Sequence, residues 1–273
     1  MVKIVAAGRG ETVGMWPPEA RFVICEFVLS RILNNNCKHF LLPRNVLLAE
    51  PTIMQFVIAI TGKLSPKVLY LGTLHEDDED TWKATGLPYE LYGCSVTKLN
   101  LWNTPEEYKT SIIDVFERKM YETDILLLSG GHSIPGIAKW SSLGLVDILL
   151  NAARKRQDLV IAGGSAGALC WFAGTGLNLI PALIIPHYDT GAYYTPSWLL
   201  AKWQNTPTCI CVDENAGFVV IDDTATVISA DGHSKCYVVT RKSAPTAIPM
   251  EVNEVKRLAE LDIIMPTNYS VKL

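Results

Sequence analysis

The stretch Leu159–Phe172, LVIAGGSAGALCWF, decides how this chain is organised. It begins with Leu159–Ala162, an apolar run long enough for a strand buried on both faces. It ends with Ala166–Phe172, whose small and apolar residues are typical of a buried helix. Between the two lies a G-x-S-x-G pattern, Gly163–Gly167. A serine in this pattern, between strand and helix, predicts a nucleophile elbow.

The chemistry of an elbow explains why the neighbours of Ser165 are small. A serine raised on a tight turn adopts a sparsely allowed backbone conformation, so bulky neighbours would collide with the turn. The free N–H groups at the start of the following helix favour negative charge that develops beside the serine. The pattern alone also fits a glycine-rich turn that binds phosphate or only reverses the chain.

Strands and helices alternate along the chain before and through the elbow. The predicted strands are Val2–Ala7, Lys67–Gly72, Ser95–Leu101, Asp124–Leu128 and Leu159–Ala162. The predicted helices between them are Trp16–Leu33, Pro51–Ile60, Pro105–Met120 and a segment from Ser133 to about Leu150. This order predicts an α/β fold with a doubly wound, mostly parallel sheet and helices on both faces.

The pattern changes after the elbow. Short strands are predicted at Leu183–Pro186 and Cys209–Val212. From Gly217, the segments FVVID, TVIS and CYVVT predict a C-terminal antiparallel meander, and Asn253–Leu273 is expected to be a polar tail with some helix. We expect one hydrolytic domain spanning residues 1–273, in which residues 16–49 form a cap or an interface insertion.

Composition limits the class of protein. In 273 residues, 49% are hydrophobic and 19% charged, and the net charge is −4. Neither nucleic acid nor a membrane is therefore an expected partner. The seven cysteines are odd in number and mostly lie in apolar runs, which indicates reduced thiols and a cytoplasmic protein. The N-terminus resembles a strand rather than a signal peptide, and no apolar run approaches the ~20 residues of a membrane helix.

An acidic run is the one segment that suggests a metal. His75 precedes Glu76–Asp80, in which all five residues are acidic. Such runs are usually solvated, and acidic residues suit the first turn of a helix. No second cluster of ligands is visible, so we expect neither a metal nor another cofactor.

A nucleophilic serine needs a base, and the base needs an orienting acid. His187 and Glu214 each follow a short apolar strand after Ser165, which favours the order Ser, His, acid. The order of α/β-hydrolases, Ser, acid, His, would instead use Asp213 or Asp222 with His233. Both assignments are open at this level.

Four motifs together resemble peptidase family S51, which includes dipeptidase E and, more distantly, cyanophycinase. They are GGSAGALCWF, the upstream SGGHS, the later IPHYD, and VDENAGFVV. The resemblance implies a sheet like that of class I glutamine amidotransferases, with serine replacing their cysteine. It also implies that Ser165 is the nucleophile, His187 the base and Glu214 the orienting carboxylate, with Asp213 as competitor. Gly131 and Ala166 would supply the N–H groups of the oxyanion hole.

Three features depart from the family pattern. His132 stands where members usually have Asn or Asp, and the N-terminal loop is Gly8-Arg9-Gly10 rather than three glycines. Between His187 and Glu214 there is no Arg, only Lys202, and Lys lacks the fork that binds a carboxylate in two places. A strict preference for aspartyl peptides is therefore not expected. Aromatic residues fill this segment, as core or as pocket wall.

We therefore expect a serine exopeptidase or dipeptidase that hydrolyses small peptides through an acyl-enzyme. His132, Gly130, Tyr188 and Asp213 are candidate substrate-binding residues, and a homodimer is compatible with the sequence. The alternatives are an esterase or amidase with the same triad, and a non-catalytic protein that binds small molecules on the same fold.

Overall fold

The computed structural model describes residues 3–7, 53–103, 111–192 and 194–265. Several predicted segments lie outside these ranges. They are the loop at Gly8–Gly10, the predicted helix Trp16–Leu33, the proposed insertion at 16–49 and residues 105–110 of the predicted helix Pro105–Met120. Cys25 and Cys37 also lie outside these ranges.

The described elements alternate as expected. The strands are β1 (Lys3–Ala7), β2 (Lys67–Leu71), β3 (Ser95–Lys98), β4 (Ile125–Leu128), β5 (Val160–Gly164), β6 (Leu183–Pro186), β7 (Thr208–Val212), β8 (Ala216–Ile221), β9 (Thr224–Ser229), β10 (Cys236–Thr240), β11 (Ile248–Met250) and β12 (Val255–Arg257). The α-helices are α1 (Ile53–Ala59), α2 (Glu79–Thr85), α3 (Leu87–Leu91), α4 (Ile112–Glu122), α5 (Ser133–Ser142), α6 (Val146–Lys155), α7 (Ala166–Leu169), α8 (Tyr188–Gly191) and α9 (Pro196–Lys202).

An eight-stranded sheet forms the centre, in the order β12-β9-β8-β1-β5-β4-β2-β3. The five strands β1, β5, β4, β2 and β3 run parallel to one another. On the other side of β1, strands β8, β9 and β12 are antiparallel. The predicted α/β fold with a mostly parallel sheet is therefore confirmed.

Both faces of this sheet are covered by helices. Because successive side chains of a strand point to opposite faces, each strand contributes to two separate cores. Leu69 of β2 shares one core with Phe116 of α4 and Trp140 of α5. Val68 shares the other core with Phe56 of α1. The doubly wound arrangement follows from the continuous apolar runs of these strands.

A second sheet has four strands in the order β11-β10-β7-β6. Strands β6 and β7 are parallel, whereas β10 is antiparallel to β7, with Cys236 opposite Val212. The predicted meander is therefore wrong in its third strand. Strands β8 and β9 form the expected hairpin, but β10 leaves them for the second sheet, because alternation of apolar residues does not specify which strand becomes the partner.

Three other boundaries differ from the expectations. The helix of the elbow ends at Leu169 rather than Phe172. The segment after Ser133 is two helices, separated at Gly144, whose φ of +73° is unfavourable for other residues. The expected C-terminal tail contributes β12 to the edge of the large sheet. Residues 266–273 lie outside the described ranges.

A membrane-spanning helix has two requirements, sufficient length and high apolar content. Within the described ranges, no single helix meets them; α5 and α6 meet them only as a pair, and the pair is bent by 100°.

Candidate active site

Ser165 lies on a strained turn between β5 and α7. Its φ of 53° and ψ of −118° fall in a region that residues other than glycine rarely adopt. The apolar strand before it and the short helix after it hold the residue in this conformation. This is the geometry that a nucleophile elbow requires.

Close backbone contacts explain the small residues around the serine. A Cβ atom added to Gly163 would lie 2.6 Å from the carbonyl carbon of Gly167. A Cβ atom added to Gly167 would lie 2.7 Å from the carbonyl oxygen of Ser129, at the end of β4. The elbow can close, and can pack against the neighbouring strand, only because both positions lack side chains.

The loop Ser129–His132 follows β4 and lies beside the elbow. Strands β4 and β5 are parallel neighbours, with Leu128 opposite Gly163, so both loops leave the same edge of the sheet. Gly131 has a φ of +122°, and a Cβ atom there would lie 2.1 Å from the carbonyl oxygen of Leu74. The same oxygen accepts the N–H of His132 at 2.7 Å. The short 3₁₀ turn containing Leu74 therefore supports this glycine loop.

The N–H groups of Gly131 and Ala166 suit the oxyanion role assigned to them. Among the described residues, neither N–H group donates a hydrogen bond to a backbone carbonyl in a turn, a loop or a helix cap. Ala166 is the first residue of α7, so its N–H has no partner within the helix. Both groups can therefore donate to a bound oxygen atom.

His187 and Glu214 are in contact. The Nδ1 atom of His187 lies 3.6 Å from Oε1 of Glu214, with side chains 35% and 29% exposed. The contact follows from the topology, since β6 and β7 are parallel neighbours with Pro186 opposite Val212. Each residue follows the carboxyl end of its strand.

Strand register brings this pair to the edge of the large sheet that carries Ser165. Gly217 lies opposite Ala7 in β1, and Ala7 lies opposite Gly164 in β5. Two strand spacings separate Gly217 from Gly164, which is about 10 Å. Glu214 precedes Gly217 by a single turn, in which Ala216 donates its N–H to the carbonyl of Asp213. Ser165 and the pair His187–Glu214 are therefore at the same edge of the sheet, where the parallel strands have their carboxyl ends.

The two adjacent carboxylates, Asp213 and Glu214, face different partners. Asp213 is buried, and its Oδ2 accepts the backbone N–H of Lys235 at 2.9 Å. Burial raises the pKa of Asp213, although that hydrogen bond opposes the rise. Glu214 instead directs its carboxylate to His187, and its own N–H is bound by Asp189 Oδ1 at 2.8 Å. Geometry thus favours Glu214 over Asp213 as the partner of His187.

The order typical of α/β-hydrolases fits less well. Asp222 lies in the turn between β8 and β9, next to Ile221, which is opposite Lys3 at the start of β1. Asp222 is therefore at the amino ends of the parallel strands, opposite the edge that holds Ser165. His233 is exposed, and its backbone N–H is bound by Asp231 at 2.8 Å.

The other candidate residues line the same region with different exposure. His132 is exposed at the N-cap position of α5, where its side chain makes no capping bond, and Gly130 precedes it in the loop. Tyr188 packs its ring against Tyr237 at 5.4 Å between centroids, and burial raises its pKa. Asp213 is held by Lys235 as described.

The described aromatic residues between His187 and Glu214 divide into core and surface. Tyr188 and Trp203 pack against the core of the second sheet. Tyr194 and Trp198 are 55% and 45% exposed and stack on each other at 4.7 Å. Lys202 places its Nζ over Trp198 at 4.9 Å, so the one cation of this segment is held by an aromatic ring.

Sequence reasoning missed two carboxylates at this edge. Asp189 lies in the quoted IPHYD motif but gave no signal of its own, because an acid in a loop is usually solvated. The Asp231 carboxylate accepts hydrogen bonds from the side chains of Ser229 and Asn215 and from the backbone N–H of Ser234. In the sequence, its Asp-Gly pair indicated only a turn. Burial alone would raise the pKa of Asp231, but these hydrogen bonds outweigh it and hold the pKa well below its usual range.

In the part of the chain that is described, no group of three or more His, Cys, Asp or Glu side chains could hold a metal ion. His75 Nδ1 contacts Thr81 Oγ1 at 3.1 Å instead. The described cysteines are buried free thiols, Cys94, Cys170, Cys209, Cys211 and Cys236.

Comparison with known proteins identifies the family. The sequence model of peptidase family S51 matches residues 48–228. An uncharacterized peptidase of Bacillus subtilis (strain 168), YgaJ, is 24% identical in an alignment of 213 residues, and the match covers 72% of this chain and 89% of the relative.

One solved structure agrees in fold over nearly the whole chain. A peptidase from an acI-B1 actinobacterium superposes with a TM-score of 0.57 at 17% identity, covering 94% of this chain and 96% of the other. A putative peptidase E of Listeria monocytogenes EGD-e covers 63% of this chain and 92% of its own, with 16% identity and a TM-score of 0.49. Because the family model spans more than half of the sequence, the chain belongs to peptidase family S51 and is a serine peptidase.

Proposed function

We propose that this protein is an exopeptidase of small peptides that uses Ser165 as nucleophile, His187 as general base and Glu214 as the orienting acid. The observation that carries the proposal is the contact between His187 Nδ1 and Glu214 Oε1, at the sheet edge that also bears the strained Ser165. Since Glu214 engages Nδ1, the Nε2 atom of the imidazole is left to face the serine.

In the first half of the reaction, His187 Nε2 takes the proton of the Ser165 hydroxyl while Oγ attacks the scissile carbonyl carbon. The N–H groups of Gly131 and Ala166 bind the resulting oxyanion, an interaction that is worth several kcal/mol in serine hydrolases generally. The tetrahedral intermediate then collapses: the C–N bond breaks, and the imidazolium gives its proton to the leaving amine. An ester to Ser165 remains.

In the second half, water takes the place of the amine. His187 removes a proton from the water, and the hydroxide attacks the ester carbonyl. The new oxyanion accepts hydrogen bonds from the same two N–H groups. When the C–O bond to Ser165 breaks, the imidazolium returns the proton to Oγ, and the acid product leaves. No step requires a metal or another cofactor.

The substrate class follows from the family and from the groups near the base. Membership of S51, together with the motif resemblance to dipeptidase E, supports short peptides. A dedicated site for an aspartyl side chain is not part of the proposal. No Arg lies between the base and the acid, and Lys202 is held over Trp198.

The test combines covalent labelling with turnover. A fluorophosphonate probe should label the folded wild-type protein and should fail to label Ser165→Ala. His187→Ala should lower kcat by on the order of 10⁶-fold on a panel of dipeptides and tripeptides, as loss of a triad base does. Absence of labelling in the folded wild type would favour a non-catalytic binding protein. Labelling with turnover of esters or simple amides but of no peptide would favour an esterase or amidase.

A further inference from the structure

A second carboxylate ties the proposed acid to the segment that carries the proposed base. Asp189 Oδ1 accepts the backbone N–H of Glu214 at 2.8 Å, across 25 residues of sequence. Asp189 lies in α8, which begins directly after His187. The bond therefore joins the segment after β6 to the segment after β7, at the point where the imidazole meets the carboxylate.

These contacts close a ring. The His187 imidazole contacts the Glu214 carboxylate at 3.6 Å, the Glu214 N–H bonds to Asp189, and Asp189 leads back through two peptide units to His187. A side chain held only by its own rotamer would move relative to the imidazole. A ring with two independent contacts fixes the backbone of the acid and the base against each other.

Glu214 is also held from the other side. Asp213 exchanges two bonds with Lys235: its N–H donates to the Lys235 carbonyl at 3.0 Å, and its Oδ2 accepts the Lys235 N–H at 2.9 Å. Those bonds anchor the residue before Glu214 to the second sheet. The bond to Asp189, by contrast, joins the Glu214 peptide to α8.

We propose that Asp189 is a positioning residue for the base–acid pair: it acts through Glu214, by accepting the Glu214 N–H, and not by touching substrate. This inference rests on the proposed function, because it needs the His187–Glu214 pair to be the catalytic one.

The experiment compares Asp189→Ala with Asp189→Asn, which keeps an oxygen acceptor but no charge. For each variant, Tm is determined first, and kcat and KM on a small peptide and the rate of fluorophosphonate labelling are then measured well below it. We expect Asp189→Ala to lower kcat and the labelling rate by about 10-fold with little change in KM, since small misplacements of catalytic groups are costly. Asp189→Asn should stay within about 3-fold of wild type.

Asp124→Ala is the matched control. Asp124 also accepts a backbone N–H, from Lys67 at 2.9 Å, but it precedes β4 and so lies at the opposite edge of the sheet. Asp124 is buried and also pairs with Lys63, so its loss should lower Tm at least as much as that of Asp189. Its kcat and labelling rate should nevertheless remain those of wild type.

Two results would overturn the inference. One is an Asp189→Ala enzyme with wild-type kcat and labelling rate, while His187→Ala and Glu214→Gln are inactive; the triad would then stand without the positioning role. The other is an Asp189→Asn enzyme as slow as Asp189→Ala, which would show that the charge acts and not the hydrogen bond. Full activity of His187→Ala would instead overturn the proposed function itself.

Discussion

The two halves of the candidate active site are held by different kinds of contact. Around Ser165 and Gly131, backbone packs on backbone so closely that a single added Cβ atom would come within 3 Å of its neighbours. Around His187 and Glu214, the fixing contacts are made by side chains, at 3.6 Å within the pair and at 2.8 Å from Asp189. The first half tolerates no added atom, whereas the second can relax when a contact is lost.

This difference has a consequence for what each half contributes. In the proposed mechanism, a rigid backbone turn presents Ser165 and the N–H groups of Gly131 and Ala166 without reorganisation at the moment of reaction. A pair of side chains from adjacent parallel strands can adjust as the imidazole takes up and releases its proton. Substitutions in the first half should therefore lower kcat sharply. Those in the second half should lower kcat in proportion to the contact that is removed.

The strongest test of this difference between the two halves is the substitution Gly131→Ala. The new Cβ atom would meet the Leu74 carbonyl oxygen at 2.1 Å, so the loop must shift and take the N–H donor with it. Loss of one oxyanion donor costs about 10²–10³ in kcat. Gly93→Ala is the control, because Gly93 also has a positive φ, +84°, but has no atom within 4 Å of the added Cβ. It should cost about 1–2 kcal/mol of stability and leave kcat unchanged.

Steady-state kinetics and denaturant unfolding of both glycine variants check this prediction. If Gly131→Ala kept wild-type kcat, the N–H of Gly131 would not be an oxyanion donor, and the rigid half would be a packing device only. Equal losses of kcat in both variants would indicate a general effect of destabilisation.

The next prediction separates two neighbouring acids. Glu214→Gln removes the negative charge beside the imidazole and should lower kcat by on the order of 10²-fold or more. Asp213→Asn keeps an oxygen that can accept the Lys235 N–H, so kcat should stay within about 3-fold of wild type. The measurement is kcat on one peptide for both variants. Full activity of Glu214→Gln, with a slow Asp213→Asn, would transfer the role to Asp213.

The same contrast explains how much could be predicted from the sequence. The elbow was recognisable because its backbone contacts require small residues at a fixed spacing. Gly163 and Gly167 satisfy this requirement and are visible in the sequence. His187 and Glu214 could be proposed only because each follows a strand and matches a family motif. Asp189 gave no signal, since its partner is an N–H group, and every residue except proline has one.

Strand pairing was the other limit of the sequence. Parallel strands with continuous apolar runs indicated the central sheet, and β1, β2, β4 and β5 are where the sequence predicts them. The apolar alternation of β10 was equally compatible with pairing to β9 or to β7. The loop around Asp231 leads into β10, and Asn215 Nδ2 donates to Asp231 Oδ2 at 3.0 Å across 16 residues of sequence, a contact that a local sequence pattern does not reveal.

That loop provides a prediction about stability and pH. Hydrogen bonds hold the pKa of Asp231 below its usual range, so its ionised form stabilises the fold above the unfolded-state value near 4. We expect Asp231→Asn to lower the free energy of unfolding by about 1–2 kcal/mol at pH 7. The gap to wild type should narrow as the pH falls below about 4, because the wild type then loses this stabilisation. Urea unfolding at pH 7 and pH 3 tests this, and a gap independent of pH would contradict it.

The smallest expected effect is that of His233→Ala. His233 lies in the same loop, but it is exposed, and the bond that fixes it uses its backbone N–H and Asp231, which the substitution leaves in place. Stability should change by less than about 0.5 kcal/mol and kcat by less than about 2-fold. His187→Ala, measured beside it, should be nearly inactive. The reverse result, an inactive His233→Ala and an active His187→Ala, would mean that the base comes from the loop after β9, and that the contact between His187 and Glu214 is structural.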